Sequence, residues 1–589
     1  MKAYTSDRLR NVVLMGHGGT GKTTLTEAML LASGAISRMG SVDDGNTVSD
    51  YDDQEHVHHY SISASLLALE WNEHRINLID APGYADFEGE VVSSAQAADA
   101  ALIAVDGSSG VQGGTEIAWA QADEAGSLPR IVVVTRLDRE NSNFDQVLAE
   151  LREAFGSRVV PLALPVGTAS GLSGQFDLRS SDEPPSDLAG DLEAARTMLV
   201  EAVAETNDAL LEKYLDGQEL DEAEITAALH DGIERGELVA VVPSSAPAGI
   251  GVEALLDDLV KLMPSPLGRE YALAEGTTTT SADGELVVRV FKTIADPFVG
   301  HLSFMKVLSG TLSASMSPYN PRAKQTERLG HLFLQRGKEQ FEVPELVAGD
   351  IGVAAKLSDT HTGDTLVALA NGEMELPSLP FPTPTYRTAL IPASQDDVTK
   401  LSTALSRLQE QDPTIHVERD PDTSETIMTT MGDAQVTIAC ARLAKTYGVE
   451  VAAALPRVPY RETISGTAKS EYKHKKQTGG HGQYGHVVIE IEPLTRGMGF
   501  EFEEHVTGGS VPRQFIPAVE KGIHESLPDG PLAHSPIVDV KVTLLDGSAH
   551  AVDSSEMAFK MAASHALRDG LMDARPVLLE PVMKLTLHV

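Results

Sequence analysis

Cysteine is almost missing: Cys440 is the only one in 589 residues. A single thiol forms no internal disulfide and builds no cysteine-rich zinc site, which suits a reducing cytoplasm. No apolar run approaches the ~18–20 residues of a membrane-spanning helix, so a membrane protein is not expected. The opening MKAYTSDRLR has no apolar stretch behind it of the kind a secretory signal needs. Basic residues are scarce, with 46 Lys and Arg against 86 Asp and Glu and a formal net charge of −40. That balance argues against nonspecific binding of duplex DNA, which rests on neutralising phosphates. The acid is concentrated at the front: residues 1–264 carry a net of −29, residues 461–575 only −4. One local nucleic-acid contact at the back therefore stays open. At roughly 100–200 residues per domain, a chain this long holds about three to five domains.

Residues 11–264 alternate short apolar runs with helical patterns. The runs are Val12–Met15, Ile76–Ile79, Ala101–Val105, Ile131–Val134, Val159–Leu164 and Val239–Val242. Such alternation predicts a mostly parallel, doubly wound sheet, with ligands at the carboxyl ends of its strands. Gly16-His17-Gly18-Gly19-Thr20-Gly21-Lys22-Thr23 follows the first run, with Thr24 next. This G-x-x-x-x-G-K-[ST] loop lets backbone N–H groups wrap phosphates; the Lys supplies charge and the Thr a hydroxyl for Mg²⁺. The helix starting at Lys22 aims its N-terminus at the same anion.

Three further strand ends point to one nucleotide. Asp80-Ala81-Pro82-Gly83 offers a carboxylate to Mg²⁺ through water and an amide to a γ-phosphate. Thr135-Arg136-Leu137-Asp138 places an Asp where it accepts two hydrogen bonds from guanine; adenine lacks that donor pair. Ser245-Ala246 brings backbone amides toward the base oxygen. Together they point to GTP rather than to an ATPase or small-molecule kinase.

At this point the sequence resembles the elongation factor G family of translational GTPases over essentially its whole length. Beyond the nucleotide motifs, the match includes residues 295–300 (ADPFVG), 459–464 (PYRETI), 477–486 (QTGGHGQYGH) and 553–560 (DSSEMAFK). The resemblance implies a multidomain α/β and β fold. Residues 1–264 are a doubly wound P-loop GTPase domain with a shortened insert around 170–235, and 268–375 a β-barrel. Residues 385–459 are a small ferredoxin-like α+β domain, and 461–575 an α/β tip domain that the family inserts into the ribosomal decoding site. The four prolines of Pro377–Pro384 make a stiff linker. Within 385–459, Val398, Leu401, Leu405 and Leu408 form one apolar helical stripe, with Ser394 and Asp397 as a capping box. Leu578–Val589 resembles only the opening strand of the family's fifth domain, so 576–589 is expected as an orphan strand. Either that domain is lost or the material is truncated.

The resemblance also assigns roles. GTP or GDP and Mg²⁺ are the expected ligands, with Thr23, Ser61 and Asp80 around the metal and Lys22, Gly83 and Tyr84 at the reacting phosphate. The ribosome is the expected partner through rRNA, tRNA and mRNA, with no DNA, no membrane and a monomeric chain. Lys475, Lys476, His481, Gln483 and His550 fall on the two loops with which the family touches RNA. Departures matter as much. Tyr84 stands where the family has the His that orients the attacking water, and a phenol does not reproduce imidazole geometry or charge. His58-His59-Tyr60-Ser61 replaces Arg-Gly-Ile-Thr, Gly19 replaces an Asp, and Thr135-Arg136 replace Asn-Lys. Thr135 is left to hydrogen-bond the base and Arg136 to stack on it. Binding groups are mostly kept and hydrolysis groups mostly changed, as in a divergent paralogue with slow turnover. Two functions follow: tRNA/mRNA translocation with GTP hydrolysis, or a ribosome-binding GTP switch used in recycling or stress. His56, His58 and His59 fit no standard zinc spacing, and Cys440, on a helix over Gln435–Tyr447, is expected to be a small core residue.

Overall fold

The computed structural model describes residues 1–296, 300–357, 359–368, 374–478 and 481–585. The chain divides into two compact units. One is Met1–Arg387 with Ile391–Val417 and Met428–Ala453; the other is Thr388–Leu390 with Glu418–Ile427 and Ala454–Val589.

The first unit begins with the doubly wound sheet. Its strands are β1 (Leu9–Met15), β2 (Ser65–Trp71), β3 (His74–Asp80), β4 (Ala100–Asp106), β5 (Arg130–Thr135), β6 (Val159–Pro161) and β9 (Val239–Pro243), in spatial order β2-β3-β1-β4-β5-β9-β6. All neighbours run parallel except β2, which pairs antiparallel with β3. β1, β4 and β5 are buried along their whole length, which is why they are unbroken apolar runs. Helices α1 (Lys22–Ala32), α3 (Glu88–Ala97), α4 (Gly113–Glu124), α5 (Phe144–Phe155) and α9 (Val252–Leu262) complete the layers, and the short α2 (Asp53–His58) precedes β2.

Two details differ from the sequence expectation. The run Val159–Leu164 is not one strand: Pro161, with no N–H to donate, closes β6, and β7 (Ala163–Val166) turns away to pair with β8 (Gly174–Asp177). The insert then continues as α6 (Leu192–Ala204), α7 (Asp208–Leu215) and α8 (Glu222–Glu234), capped by Asp191, Asn207 and Asp221. β2 has no counterpart among the predicted runs. Its Leu, Ala and Glu favour helix, and seven paired positions on β3 override that preference.

An antiparallel β domain follows, with principal strands Val287–Asp296, Gly300–Ser309, Leu332–Arg336, Glu339–Val343, Ile351–Ala355 and Thr365–Val367. Val288, Val290, Met305, Val307, Leu332 and Leu334 fill it. Arg336 pairs with Leu67, so the sheet runs on into β2. The buried junction is charged: Asp99 accepts from Lys306 Nζ at 2.5 Å, Asn11 Nδ2 at 2.6 Å and Arg269 Nη1 at 2.9 Å. A fully buried lysine is tolerated there because its carboxylate partner is within bonding distance.

From Tyr386 the chain order is βαββαβ, the ferredoxin-like order, with α10 (Gln395–Gln411) and α11 (Asp433–Tyr447) as its helices. Ser394 Oγ accepts from the Asp397 amide and donates to its carboxylate. Leu401, Ala404, Leu405 and Leu408 are buried, but Val398 is 50 % exposed, so the packed stripe starts one turn later than predicted. Cys440 sits on α11 but is only half-buried, not a core residue.

In the second unit, strands 468–478, 481–493, 540–548 and 500–504 form a sheet in that spatial order, the last pair parallel. α12 (Ile516–His524) and α13 (Glu556–Asp573) cover it, with Phe559, Ala562, Ala566 and Leu567 of α13 against Val487, Ile489, Ile491 and Val542. The strand expected over 578–589 is not found among the described residues. The last strand among the described residues is Pro576–Leu579, paired antiparallel with Arg461–Ile464, and 580–585 form no regular element. Residues 586–589, with Leu587 and Val589 of the predicted alternation, lie outside the described part, as do Pro297–Val299 and Gly479–Gly480.

Candidate nucleotide and RNA sites

β1 delivers Gly16, and the loop closes at Gly21, whose φ of 86° requires the left-handed region. α1 starts at Lys22 with no side chain capping its first turn, so its free N–H groups face the loop. Lys22 Nζ donates to the carbonyls of Gly16 and His17, both at 2.9 Å. Burial pulls this ammonium down to about 8, against the pull of Asp80 and Asp50. Gly83 presses on it: a Cβ there would collide with Lys22 Nζ and lie 2.8 Å from the Gly18 nitrogen. Only a residue without a side chain lets the segment Gly83–Phe87, called the second switch below, come this close to the phosphate loop.

Hydroxyls and carboxylates converge beside Lys22. Thr23 Oγ1 lies 3.1 Å from Ser61 Oγ, and Ser49 Oγ donates to Asp80 at 2.7 Å. Asp80 Oδ1 and Asp50 Oδ2 are buried without a hydrogen-bond partner, and burial raises both carboxyls to about 6. Two carboxylates and two hydroxyls, all oxygen, are a hard-cation donor set. Ser49 and Asp50 escaped the sequence analysis because they belong to no short motif. Glu55, also missed, is raised to about 7, mainly by burial, and its carboxylate accepts from the amides of Asp52, Ile62 and Ser63.

At the far end of the site Asp138 accepts from Ser245 Oγ at 2.7 Å. The Ser245 amide donates to the Ile250 carbonyl, while Ala246 is buried. Thr135 Oγ1 donates to the Thr20 carbonyl at 2.6 Å and the Val105 carbonyl at 3.2 Å. Its proton is spent on tying the loop to β4 and β5 rather than aimed at a base. The Arg136 guanidinium is pinned by Asp106 at 2.7 Å and passes close to Gly21.

Tyr84 is 47 % exposed. Its ring lies against Gly18, where a Cβ would come within 3.3 Å, and packs on Tyr60 with centroids 4.5 Å apart. A cavity of about 460 Å³ adjoins it, bounded by Gly16–Gly18, Gly83, Gly113 and Ile117. Of the three histidines, His58 neighbours Tyr60, while His56 bonds the Asp50 carbonyl and His59 the Val42 carbonyl.

The second switch and the segment of residues 40–64, called the first switch, both contact α11. Arg442 reaches Asp52 at 3.4 Å and Ser63 at 3.2 Å, and Lys445 pairs with Asp53. α11 has Gly432 at its N-cap, which offers no side chain. Asp86 supplies the missing cap from the second switch, accepting from Ala434 at 2.9 Å and Gln435 at 3.3 Å.

In the second unit, Lys475 and Lys476 are exposed on a strand register-paired with Tyr484 and Gln483. Gln483 Oε1 lies 3.2 Å from His474 Nε2. Asp553 clasps the second loop to this hairpin: its carbonyl accepts from the Tyr484 amide at 2.7 Å and its carboxylate from Gly482 at 3.2 Å. His550, 3.1 Å from the Asp553 carboxylate, is thereby brought beside the hairpin. The His481 side chain lies outside the described part.

A phosphate loop and the strand ends leading to Asp80, Asp138 and Ser245 on a doubly wound sheet define the class of P-loop nucleotide-binding domains. Four family models match in series: Elongation factor Tu GTP binding domain over residues 7–265, Elongation factor G domain 2 over 285–369, Elongation Factor G domain III over 381–454 and Elongation factor G domain IV over 456–575. An "Elongation factor G-like protein" from Thermotoga maritima is 38% identical over 595 residues, 99% of this chain and 86% of that protein. A crystal structure of a protein from Thermus thermophilus shares 37% identity and a TM-score of 0.80, over 97% of this chain and 86% of the other. The chain belongs to the elongation factor G family.

Proposed function

We propose that this protein is a GTP-dependent factor of the ribosome, acting in tRNA and mRNA translocation with slow hydrolysis of GTP to GDP and phosphate. One observation carries the proposal: Thr23 and Ser61 hydroxyls meet beside two buried carboxylates, each with one oxygen that has no hydrogen-bond partner, next to a lysine whose ammonium faces the phosphate loop. A GTP·Mg²⁺ pair satisfies all of them at once. The residues fit Mg²⁺, with Thr23 and Ser61 as ligands and Asp80 through water, and the cation would neutralise charge on the phosphates. Lys22 and the loop amides from Gly16 to Thr24 hold the phosphates. Gly83 donates its amide to the γ-phosphate. Asp138 accepts from guanine, and the Ala246 amide meets its oxygen. Lys475, Lys476, His481, Gln483 and His550 contact RNA, working from the less acidic part of the chain. The protein acts as a cytoplasmic monomer.

A second reading is a ribosome-binding GTP switch that hydrolyses little or not at all. The packing of Tyr84 between Gly18 and Tyr60 favours it, because the group beside the γ-phosphate is a phenol held by two neighbours. Equilibrium titration with labelled GTP, GDP and ATP in Mg²⁺, followed by co-sedimentation with ribosomes, tests both. Guanine nucleotides bound well above ATP, and co-sedimentation stronger with a GTP analogue than with GDP, are expected. Equal affinity for ATP and GTP overturns the assignment.

A further inference from the structure

Ser61 stands four residues before β2, and the stretch between them is held at successive backbone groups. The amides of Ile62 and Ser63 donate to Glu55, at 3.0 and 3.1 Å. The Ala64 amide donates to Glu90 Oε2 at 2.7 Å. Lys292 Nζ donates to the Ala64 carbonyl at 2.7 Å and to the same Glu90 oxygen at 2.7 Å. Glu90 belongs to α3, the helix that follows Gly83 and Tyr84, and Lys292 to the first long strand of the β domain. Lys292 is only 4 % exposed. One carboxylate and one buried lysine therefore grip both polar groups of Ala64 and join three parts of the molecule: the first switch, the second switch helix and the β domain.

We infer that Lys292 is a positioning residue for GTP: with Glu90 it fixes the exit of the first switch so that Ser61 reaches the γ-phosphate side of the site. This rests on the proposed role of Ser61 in the GTP site. Charge-assisted hydrogen bonds away from water are short and directional, so the grip sets the path of the backbone rather than merely adding adhesion. GDP has no γ-phosphate and makes no demand on Ser61. Loosening Ala64 should therefore weaken GTP selectively, whereas domain glue alone would weaken both nucleotides alike.

The test is the affinity of the full chain for the β,γ-imido analogue of GTP and for GDP, each with Mg²⁺, in the unmodified protein and in Lys292→Met, Lys292→Arg and Glu90→Gln. Lys292→Met is expected to weaken the analogue roughly tenfold or more and GDP by less than about threefold, the scale of one charged hydrogen bond. Lys292→Arg should recover most of the loss. Amide exchange at residues 61–64 in the analogue complex should rise in Lys292→Met and return toward normal in Lys292→Arg. If Lys292→Met does not fold, Glu90→Gln keeps an acceptor for the Ala64 amide, loses the charge facing Lys292, and should give the same split at roughly threefold to fivefold. Equal losses for the two nucleotides, or no loss in any folded variant, overturn the inference. An unmodified chain that fails to prefer GTP to ATP would count against the proposed function instead.

Discussion

Tyr84 meets the phosphate loop at Gly18 and the first switch at Tyr60, and its outer edge faces an open cavity. A smaller imidazole fits the same space, so Tyr84→His should fold normally. Restoring a water-orienting group is expected to raise ribosome-stimulated hydrolysis about tenfold, a modest gain for such a group because Gly19, His58 and His59 also depart from the family pattern. Turnover at saturating GTP checks this. Asp138→Asn should cost about 2 kcal/mol of guanine affinity, since a charged acceptor becomes an amide; nucleotide titration reads the loss directly. The Cys440 thiol is pushed up by burial, so its reactive thiolate is scarcer than in a free cysteine at the same pH. Alkylation near pH 8 should be slow in the native protein and fast in urea. The phosphate loop, Asp80 and Asp138 were legible in sequence because each is a short motif tied to a strand end. Ser49, Asp50 and Glu55 were not, because only the folding of residues 40–64 over the site brings them to Asp80 and Ser61. The tie made by Thr135 was not legible either: its hydroxyl is shared between the Thr20 and Val105 carbonyls, which no spacing rule announces.

Helix α11 links the switches to the ferredoxin-like segment. Its first turn is capped by Asp86 rather than by its own Gly432, and Arg442 and Lys445 pair with Asp52 and Asp53 beside α2. Asp86→Ala should cost about 1 kcal/mol, the usual value of an N-cap, as a lower urea midpoint. The Lys445–Asp53 pair is solvent-exposed, so Lys445→Glu should change stability little at 1 M salt and more at low salt, where screening is weak. Urea melts at the two ionic strengths separate these cases. Elements whose pattern matched their burial were predictable, as with β1, β4 and β5. β2 was not, because its helix-favouring residues are overruled by pairing with β3. Val398 and the stretch after Leu579 failed for the opposite reason. Each has an apolar period, but Val398 is half-exposed and, among the described residues, Val582, Met583 and Leu585 are exposed; periodicity alone does not supply a neighbour.

Across the whole molecule, the acidic front and the near-neutral end divide the work that the family's architecture implies. The proposed nucleotide site consists of backbone amides, one lysine and a cluster of oxygens suited to a hard cation, none of which needs a basic surface. The strand over residues 468–478, proposed to meet RNA, keeps Lys475 and Lys476 exposed. The proposed function rests on a contrast: the groups assigned to GTP binding are kept, while Tyr84, proposed to face the γ-phosphate, is a phenol packed against Tyr60. Single-turnover hydrolysis of GTP, with and without ribosomes, measures that difference most directly. Tight binding with slow intrinsic hydrolysis is predicted, and ribosomes should stimulate it less than they stimulate a family member carrying the histidine. Hydrolysis by the Tyr84 form as fast as by its Tyr84→His variant on the ribosome would contradict the account and make the chain an ordinary translocase.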